Sequence, residues 1–253
     1  MIPLHHENPP TPLAPGVRAG VILRTQATGN PGGFSISPAA AFSPREADLH
    51  RRILAVDLGV PVNSIRLLRQ VHGNGVVERR HGEPLEERPA ADAHWTAEPC
   101  LVLAVLVADC CPVVLASSRS GFVGIAHAGW RGAAAGVVSA LWQELRAAGA
   151  EPGEISGWIG PCAGPNEYEV GPEVARCFSD YSGALKPSHR TPSRSLLDVR
   201  RVVQTQLLEQ GMLPARLSVS AGATISERRY HSHRRDRLGA GRMVAFVLRH
   251  IDE

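Results

Sequence analysis

"CLVLAVLVADCCPVVLAS", residues 100–117, is the stretch that decides the fold. Its apolar run is too continuous for a strand with one face in water, which would alternate apolar and polar side chains. We therefore expect this run in the middle of a sheet that is covered on both faces. Asp109 and Cys110 interrupt it, and Pro112 removes a backbone donor two residues later. Because proline interrupts a ladder, we expect the chain to bend here and to direct polar groups at a pocket.

The flanking segments predict a mixture of strands and helices. Residues 43–59 are typical of a helix that has Ser43 as N-cap, Pro44 in its first turn and Gly59 after its end. We predict further helices at 132–149, 171–181 and 196–211, and strands at 20–25, 64–73, 121–128, 155–162, 216–223 and 241–250. This order lacks a regular βαβ rhythm, which favours a layered α/β fold over a Rossmann or barrel fold.

The expected architecture is a layered mixed β-sheet sandwich with flanking helices. Residues 17–253 are predicted to form a single domain, and the proline-rich, polar residues 1–16 a flexible N-terminal tail. The chain of 253 residues, with 43% hydrophobic and 20% charged residues, falls in the ordinary globular range. It has no apolar stretch of the roughly 18 residues that a spanning helix needs, and its start lacks the layout of a signal peptide. We expect a cytoplasmic protein without a membrane partner.

Charge and cysteine content restrict the function classes. A net charge of +3 with few aromatic residues argues against nucleic-acid binding. The basic stretch 226–237 is then either a solvated face or a set of arginines that contact an anionic substrate. Five cysteines form an odd set, which suggests thiols, metal ligands or nucleophiles rather than a disulfide framework.

Three chemically capable side chains follow predicted buried strands: His72 in "RQVHG", Cys110 in "VADCCP" and His127 in "AHAGWRG". Two imidazoles and a thiolate suit zinc, and three protein ligands leave a fourth position open. Taken singly, a cysteine at a strand end is more typical of a small buried apolar group, and a histidine of a structural residue. Their spacing matches no short zinc signature.

Five blocks of the sequence, taken together, resemble a known family. They are "QVHGNGV", "VADCCPVVL", "GIAHAGWRGAAAGV", "IGPCAGPNEYEVG" and "YHSHRRDRLGAGRM", and in this order they are similar to the signature blocks of the YfiH-like or laccase-domain family, from about residue 17 to about residue 250. The family is known as purine nucleoside phosphorylases and earlier as polyphenol oxidases. The resemblance implies an α/β fold of the YfiH-like cysteine hydrolase type and a zinc ion held by His72, Cys110 and His127. This sequence departs from the family pattern at Cys111, where leucine is common in the family.

The activity that the resemblance implies is zinc-dependent cleavage of adenosine, inosine and methylthioadenosine with phosphate, together with adenosine deamination. Its partners would be purine nucleosides and phosphate. Arg131 and the backbone amides of the "GWRG" turn, at a predicted helix start, would bind the phosphate. Asp109 would carry a proton or else orient a ligand, since adjacent strand residues face opposite sides. The further substrate-binding candidates are Gln70, His233, Arg234 and Arg235.

Three alternatives remain at this point. A copper-dependent polyphenol oxidase is favoured by the softness of the thiolate ligand, although such enzymes couple several coppers. A cell-wall precursor editing hydrolase would use Cys110 as a nucleophile beside a histidine. A metal-binding protein without turnover would fill the fourth position with a protein ligand. Zinc is the predicted metal, with copper as the alternative.

Overall fold

The computed structural model describes residues 4–24, 33–37, 43–84 and 87–251. Six α-helices are described, three of them of five residues or fewer: α1 (Pro44–Leu58), α2 (Trp130–Ala134), α3 (Val137–Ala147), α4 (Pro172–Ala175), α5 (Val199–Glu209) and α6 (His233–Asp236). The strands are β1 (His6–Glu7), β2 (Val17–Ile22), β3 (Ile65–Arg66), β4 (Val76–Glu78), β5 (Ala93–Thr96), β6 (Val102–Val107), β7 (Cys111–Ser117), β8 (Val123–Ala128), β9 (Ile155–Ile159), β10 (Glu169–Val170), β11 (Leu185–Pro187), β12 (Ser195–Leu197), β13 (Leu217–Val219) and β14 (Met243–Arg249).

Two mixed sheets pack face to face and form the centre of the molecule. The first sheet has the order β1-β2-β14-β6-β3, and the second has the order β13-β9-β7-β8-β5-β4. Strands β10, β12 and β11 form a small third sheet. The apolar core between the two large sheets includes side chains from β6, β14, β7 and β8. Helix α1 covers the outer face of the first sheet, and α3 and α5 cover the outer face of the second. The prediction of a layered mixed sandwich with flanking helices is confirmed.

The apolar run at 100–117 is covered on both faces, as expected, but it belongs to two sheets. Strand β6 lies in the first sheet and β7 in the second, and residues 108–110 carry the chain across. Leu103 and Val105 face the core between the sheets, whereas Ala104 faces α1. Each fully buried leucine or valine contributes about 1.5–3 kcal/mol relative to exposure. Hydrophobicity predicted the burial and could not show that the partner sheet changes midway. We call residues 108–110 the crossover.

The predicted helix at 132–149 is instead two helices. Gly136 has φ of 76° in the left-handed region, which ends α2 and starts α3 in a new direction. Helix α1, by contrast, begins and ends as predicted. The hydroxyl of Ser43 accepts the N–H of Glu46, the Glu46 carboxylate accepts the N–H of Ser43, and Gly59 closes the helix with φ of 69°.

The predicted strand at 64–73 is much shorter, because β3 ends at Arg66. Beyond it, the side chain of Gln70 takes the place of a strand backbone. Its Nε2 donates to the carbonyl of Leu106 at 2.9 Å, and its Oε1 accepts the N–H of Leu106 at 2.8 Å. The segment that leads to His72 is thereby held against β6 without regular strand geometry.

The N-terminal segment is not a flexible tail over residues 4–16, contrary to the prediction from its composition. Strand β1 pairs antiparallel with β2, and Leu4 and Leu13 are buried. The carboxylate of Glu7 accepts hydrogen bonds from the hydroxyls of Ser220 and Tyr230. Proline content lowered the expectation of order, but burial of these leucines and pairing along β2 stabilise the segment.

Candidate metal centre

The crossover places Cys110 where the chain leaves the first sheet and enters the second. The preceding residue, Asp109, has φ of 84°, a conformation that non-glycine residues rarely adopt. The carboxylate of Asp109 compensates by accepting two hydrogen bonds, from the hydroxyl of Thr224 and the backbone N–H of Arg234, both at 2.7 Å. Backbone strain here is thus held by contacts to a distant part of the chain, as is common at functional sites.

His127 is the fifth residue of β8 and is 3% exposed. Its Nδ1 lies 2.8 Å from Oδ1 of Asp92, a residue with no exposed surface. An ionised carboxylate can only accept, so Nδ1 carries the proton and Nε2 is left as the ligand atom. A carboxylate behind a histidine is the usual arrangement around metal-ligating imidazoles.

The same carboxylate holds the segment that carries His72. Asp92 accepts the backbone N–H groups of Val71 and His72 at 3.0 Å and that of Gly73 at 2.7 Å. These bonds fix a turn in which His72 has φ of 60°. Burial would raise the pKa of Asp92, but the N–H donors from His127 and this turn hold it below its ordinary value.

The candidate ligand atoms of His72, Cys110 and His127 all lie within 4.8 Å of one another. The two imidazole rings are 4.9 Å apart between centroids and nearly perpendicular. One zinc ion bonded to all three would have ligand atoms about 3.3–3.7 Å apart, so a movement of about an ångström brings them to one ion. Among the described residues this is the one group of three that could hold a metal.

Glycine at position 129 leaves room for this group. A Cβ at Gly129 would lie 3.0 Å from Sγ of Cys110 and 3.1 Å from Cδ2 of His72. Both contacts are tighter than ordinary van der Waals approach. The side chains present therefore fit a metal ion in donor chemistry, separation and space.

Electrostatics favour the ligand form of the cysteine. Burial disfavours the thiolate, yet the neighbouring His127 and His72 lower the pKa of the Cys110 thiol to about 6. Burial likewise disfavours a charged His127, but Cys110 and Asp92 raise its pKa above the ordinary value. Thiolate character near neutral pH is what a soft metal ligand or a nucleophile needs.

A cavity of about 460 Å³ opens in front of the three residues. Its wall combines apolar side chains with three arginines and a single carboxylate, that of Asp109. The lining residues are Ser37, Leu68, Gln70, His72, Leu106, Ala108, Asp109, Cys110, His127, Trp130, Arg131, Tyr168, His233, Arg234 and Arg242.

The structure brings most of the predicted site residues to this cavity, but the polar groups of some already have hydrogen-bond partners. Arg131, His233 and Arg234 line it, and so does Gln70, although the amide of Gln70 already bonds Leu106. Arg235 does not line it. Its guanidinium donates to the carbonyls of Thr224, Ile225, Glu227 and Tyr230 and to the carboxylate of Asp236, so it holds the 224–236 segment together.

Cys111, next to the candidate ligand, faces away from the cavity. It is fully buried in the core under α3 and α5, where its thiol lies beside that of Cys162. Burial, and then the neighbouring Cys162, raise the pKa of the Cys111 thiol. Its departure from the family pattern thus changes core packing and not the ligand set.

Sequence reasoning missed Asp92, Tyr168 and Arg242. Tyr168 and Arg242 lie within the blocks that carry the family resemblance, so position in those blocks was a usable signal. Asp92 had a weaker one: in "PAADAHWT" it stands between alanines immediately before a strand. Its hydrogen bonds to residues 71–73 and 127 arise from tertiary packing, which a linear pattern does not contain.

The sandwich and its His/Cys/His group define an α/β protein with a candidate three-ligand metal site. The chain belongs to the family described as multi-copper polyphenol oxidoreductase laccase, whose profile matches residues 33–250. It is 35% identical over 245 residues to a purine nucleoside phosphorylase of Xylella fastidiosa, covering 89% of this chain and 90% of that protein. It is 31% identical to a purine nucleoside phosphorylase of Mycobacterium tuberculosis, covering 90% and 92%.

Solved structures of the same family share the fold. The crystal structure of YlmD from Geobacillus stearothermophilus superposes with a TM-score of 0.85 at 29% identity, covering 95% of this chain and 94% of that one. The YfiH protein of Bacillus licheniformis, described as hypothetical, gives a TM-score of 0.84 at 26% identity and 92% coverage of both chains. No helix within the described residues is long and apolar enough to cross a bilayer.

Proposed function

We propose that this protein is a zinc-dependent purine nucleoside phosphorylase that cleaves adenosine, inosine and methylthioadenosine with phosphate. One observation carries the proposal: two arginine side chains with no carboxylate partner among the described residues, Arg131 and Arg234, line the same cavity as the His72, Cys110 and His127 group. The names of the relatives, purine nucleoside phosphorylase, support a purine nucleoside and phosphate as the substrate class.

The charge balance of the cavity suits an anionic substrate. The carboxylate of Asp109 accepts the hydroxyl of Thr224 and the backbone N–H of Arg234, and it forms no ion pair with an arginine side chain among the described residues. Guanidinium groups present a fork of N–H donors that matches phosphate oxygens. In phosphorolysis, phosphate must meet the sugar carbon as the bond to the purine breaks, so these donors would hold the attacking group in place.

A metal held by His72, Cys110 and His127 would supply Lewis-acid polarisation of a substrate atom. The protein's own part is to fix the ligands through Asp92 and to line the cavity with apolar surface from Leu68, Leu106 and Ala108. Such surface reduces the water around the reacting groups and strengthens their electrostatic interactions. Adenosine deamination, proposed as an accompanying activity, also needs a proton carrier. Asp109 is the candidate carrier, because it is the one carboxylate among the described residues that lines the cavity.

The test is phosphate-dependent release of base by purified, zinc-loaded protein. We expect adenine, hypoxanthine or methylthioadenine to appear with phosphate and not in its absence. Cys110→Ala should abolish both zinc binding and turnover, whereas Cys111→Ala, which alters only the buried core, should retain zinc and activity. No turnover of any of the three nucleosides by wild-type protein with one bound zinc would refute the proposal.

Metal analysis separates this function from a copper polyphenol oxidase. A multicopper oxidase couples several coppers, and the described residues offer one group of three ligands. Protein purified without added metal should therefore contain about one zinc per chain and should not oxidise phenols. Copper recovered at more than one ion per chain, with phenol oxidation, would favour the alternative.

A further inference from the structure

The guanidinium group of Arg234 lies against an aromatic ring in the cavity wall. Its central carbon is 4.8 Å from the centroid of the Tyr168 ring, within the range of a cation–π contact. No carboxylate among the described residues forms an ion pair with this guanidinium. The Tyr168 hydroxyl also forms a hydrogen bond with this guanidinium. A guanidinium carries five N–H donors, so the tyrosine can hold the charge and leave the remaining donors available to a ligand.

Both members of the pair are anchored by hydrogen bonds of their backbones. The backbone N–H of Tyr168 donates to the carbonyl of Gly164 at 3.2 Å, and its carbonyl accepts the N–H of Leu197 at 2.9 Å. The Tyr168 side chain also packs against the core under α3 and α5. The backbone of Arg234 is fixed by Asp109, one residue before the candidate ligand Cys110. The ring is thus a fixed support, and the guanidinium starts from a fixed backbone.

An aromatic support differs from a carboxylate in one respect that matters for binding an anion. A carboxylate would hold the guanidinium by accepting its N–H groups, and phosphate would have to displace it. The ring attracts the same charge, and Tyr168 occupies fewer of the N–H donors than a bidentate carboxylate would. Ordering a long arginine side chain before the ligand arrives also reduces the entropy lost on binding.

We propose that Tyr168 is a positioning residue that holds the Arg234 guanidinium ready to bind the phosphate substrate. This inference rests on the proposed function for the identity of the anion. Tyr168 acts through Arg234, so its removal should weaken phosphate binding and leave nucleoside binding unchanged. A different role, stacking of the ring on the purine, would instead change the KM for the nucleoside.

The kinetic test compares Tyr168→Phe, which keeps the ring, with Tyr168→Leu, which removes it. We expect Tyr168→Leu to raise the KM for phosphate about 5- to 30-fold, the range of a partly desolvated cation–π contact. The KM for the nucleoside should stay within about twofold, and Tyr168→Phe, which keeps the ring and loses the hydroxyl, should raise the KM for phosphate less than Tyr168→Leu does. A change confined to the nucleoside KM would overturn the inference.

A double-mutant cycle tests whether Tyr168 acts through Arg234, independently of turnover. Binding of inorganic phosphate is measured by isothermal titration calorimetry on wild type, Tyr168→Leu, Arg234→Ala and the double variant, without nucleoside. We expect Tyr168→Leu to have no further effect once Arg234 is alanine. Equal losses in both backgrounds would overturn the inference. Wild-type protein that binds no phosphate would also overturn it.

The two experiments separate this inference from the proposed function. Protein that binds phosphate with the expected coupling but cleaves no nucleoside would refute the function and support the positioning role. Active protein in which Tyr168→Leu leaves phosphate binding unchanged would do the opposite. Circular dichroism checks that each variant is folded. If Tyr168→Leu does not fold, Tyr168→Met removes the ring while keeping an apolar side chain of similar reach.

Discussion

Asp92 concentrates four hydrogen bonds on one buried carboxylate. Oδ1 faces the N–H of His72 and Nδ1 of His127, and Oδ2 accepts the N–H groups of Val71 and Gly73. One side chain therefore sets the backbone turn of one candidate ligand and the tautomer of another. The two ligands are coupled because they share this acceptor, although they come from different segments of the chain.

Replacing Asp92 with asparagine should weaken metal binding without removing a ligand. The amide presents an NH₂ group where the carboxylate accepts hydrogen bonds, so either the 71–73 turn or the His127 ring loses its partner. We expect zinc affinity to fall about 10- to 100-fold, the usual effect of losing such a partner, measured by competition with a chromogenic chelator. Asp48→Asn, at an exposed position on α1, is the matched control. Equal zinc affinity in Asp92→Asn and wild type would contradict this role.

At the scale of single residues, the sequence identified the three candidate ligands that meet in space, but not the residues that support them. His72, Cys110 and His127 stand in blocks with a family resemblance, and all three meet at one cavity. The sequence did not show which polar side chains have donors available to a ligand. Gln70 and Arg235 carry suitable groups, but their donors are already used by backbone carbonyls. Only three-dimensional contacts distinguish a polar group that is available from one that is occupied.

Among the elements, α2 has the closest relation to the candidate ligands. It begins after Gly129, whose backbone passes against Cys110 and His72, and the following residues Trp130 and Arg131 line the cavity. A glycine there lets a helix start against a metal group. The apolar pattern of residues 132–149 predicted helix correctly but not the break at Gly136, because an isolated glycine inside a helical pattern is tolerated at a cost of about 1 kcal/mol and does not by itself mark an end.

Gly129→Ala should disturb the candidate metal centre by steric contact. Its Cβ would approach both Sγ of Cys110 and the ring of His72 at about 3 Å, so at least one candidate ligand must shift. We expect weaker zinc binding and lower activity with a small change in melting temperature. Gly153→Ala, at a position with no atom within 4 Å of the new Cβ, is the control. Zinc titration followed by thermal denaturation measures both effects, and unchanged affinity would show that the site relaxes.

Over the whole molecule, local signals predicted elements and the layered class, while the assignment of strands to sheets required the structure. The caps of α1 are encoded within a few residues, so Ser43 and Gly59 were sufficient to place its ends. The passage of the chain between sheets at the crossover and the pairing of β1 with β2 depend on distant partners. Composition was misleading for residues 4–16, where prolines accompany buried leucines.

The N-terminal segment should contribute measurably to stability. Leu13 is 6% exposed and packs into the core between the sheets, so Leu13→Ala should lower the free energy of unfolding by about 2 kcal/mol or more. Leu238→Ala, at an 85% exposed position, should change it by less than about 0.5 kcal/mol. Urea denaturation at neutral pH measures both. Equal free energies of unfolding for the two variants would contradict a stabilising role for this segment.

Two buried histidines predict a loss of stability in mild acid. Burial, as the leading cause, lowers the pKa of His94 to about 3 and that of His231 to about 4. In the unfolded chain both titrate near 6.5, so acid favours the unfolded state. The stabilisation is complete above about pH 6.5 and is lost as the pH falls toward 4 and then 3, by up to about 1.4 kcal/mol per pH unit for each histidine.

Urea denaturation between pH 7 and pH 4.5 checks this expectation. His231→Gln removes one of these titrating groups and should reduce the slope of stability against pH. His189→Asn, at an exposed position, should leave the slope as in wild type. A free energy of unfolding that does not change across this range would contradict the assignment of both histidines as neutral in the folded protein.

The crossover has a mechanical consequence. His72 follows a strand of the first sheet, His127 belongs to the second, and Cys110 stands between them. An ion held by all three would cross-link the two sheets of the sandwich. Removing the ion would then weaken the packing of one sheet against the other. Amide protons far from the ion, along β6 and β14, would exchange faster with solvent.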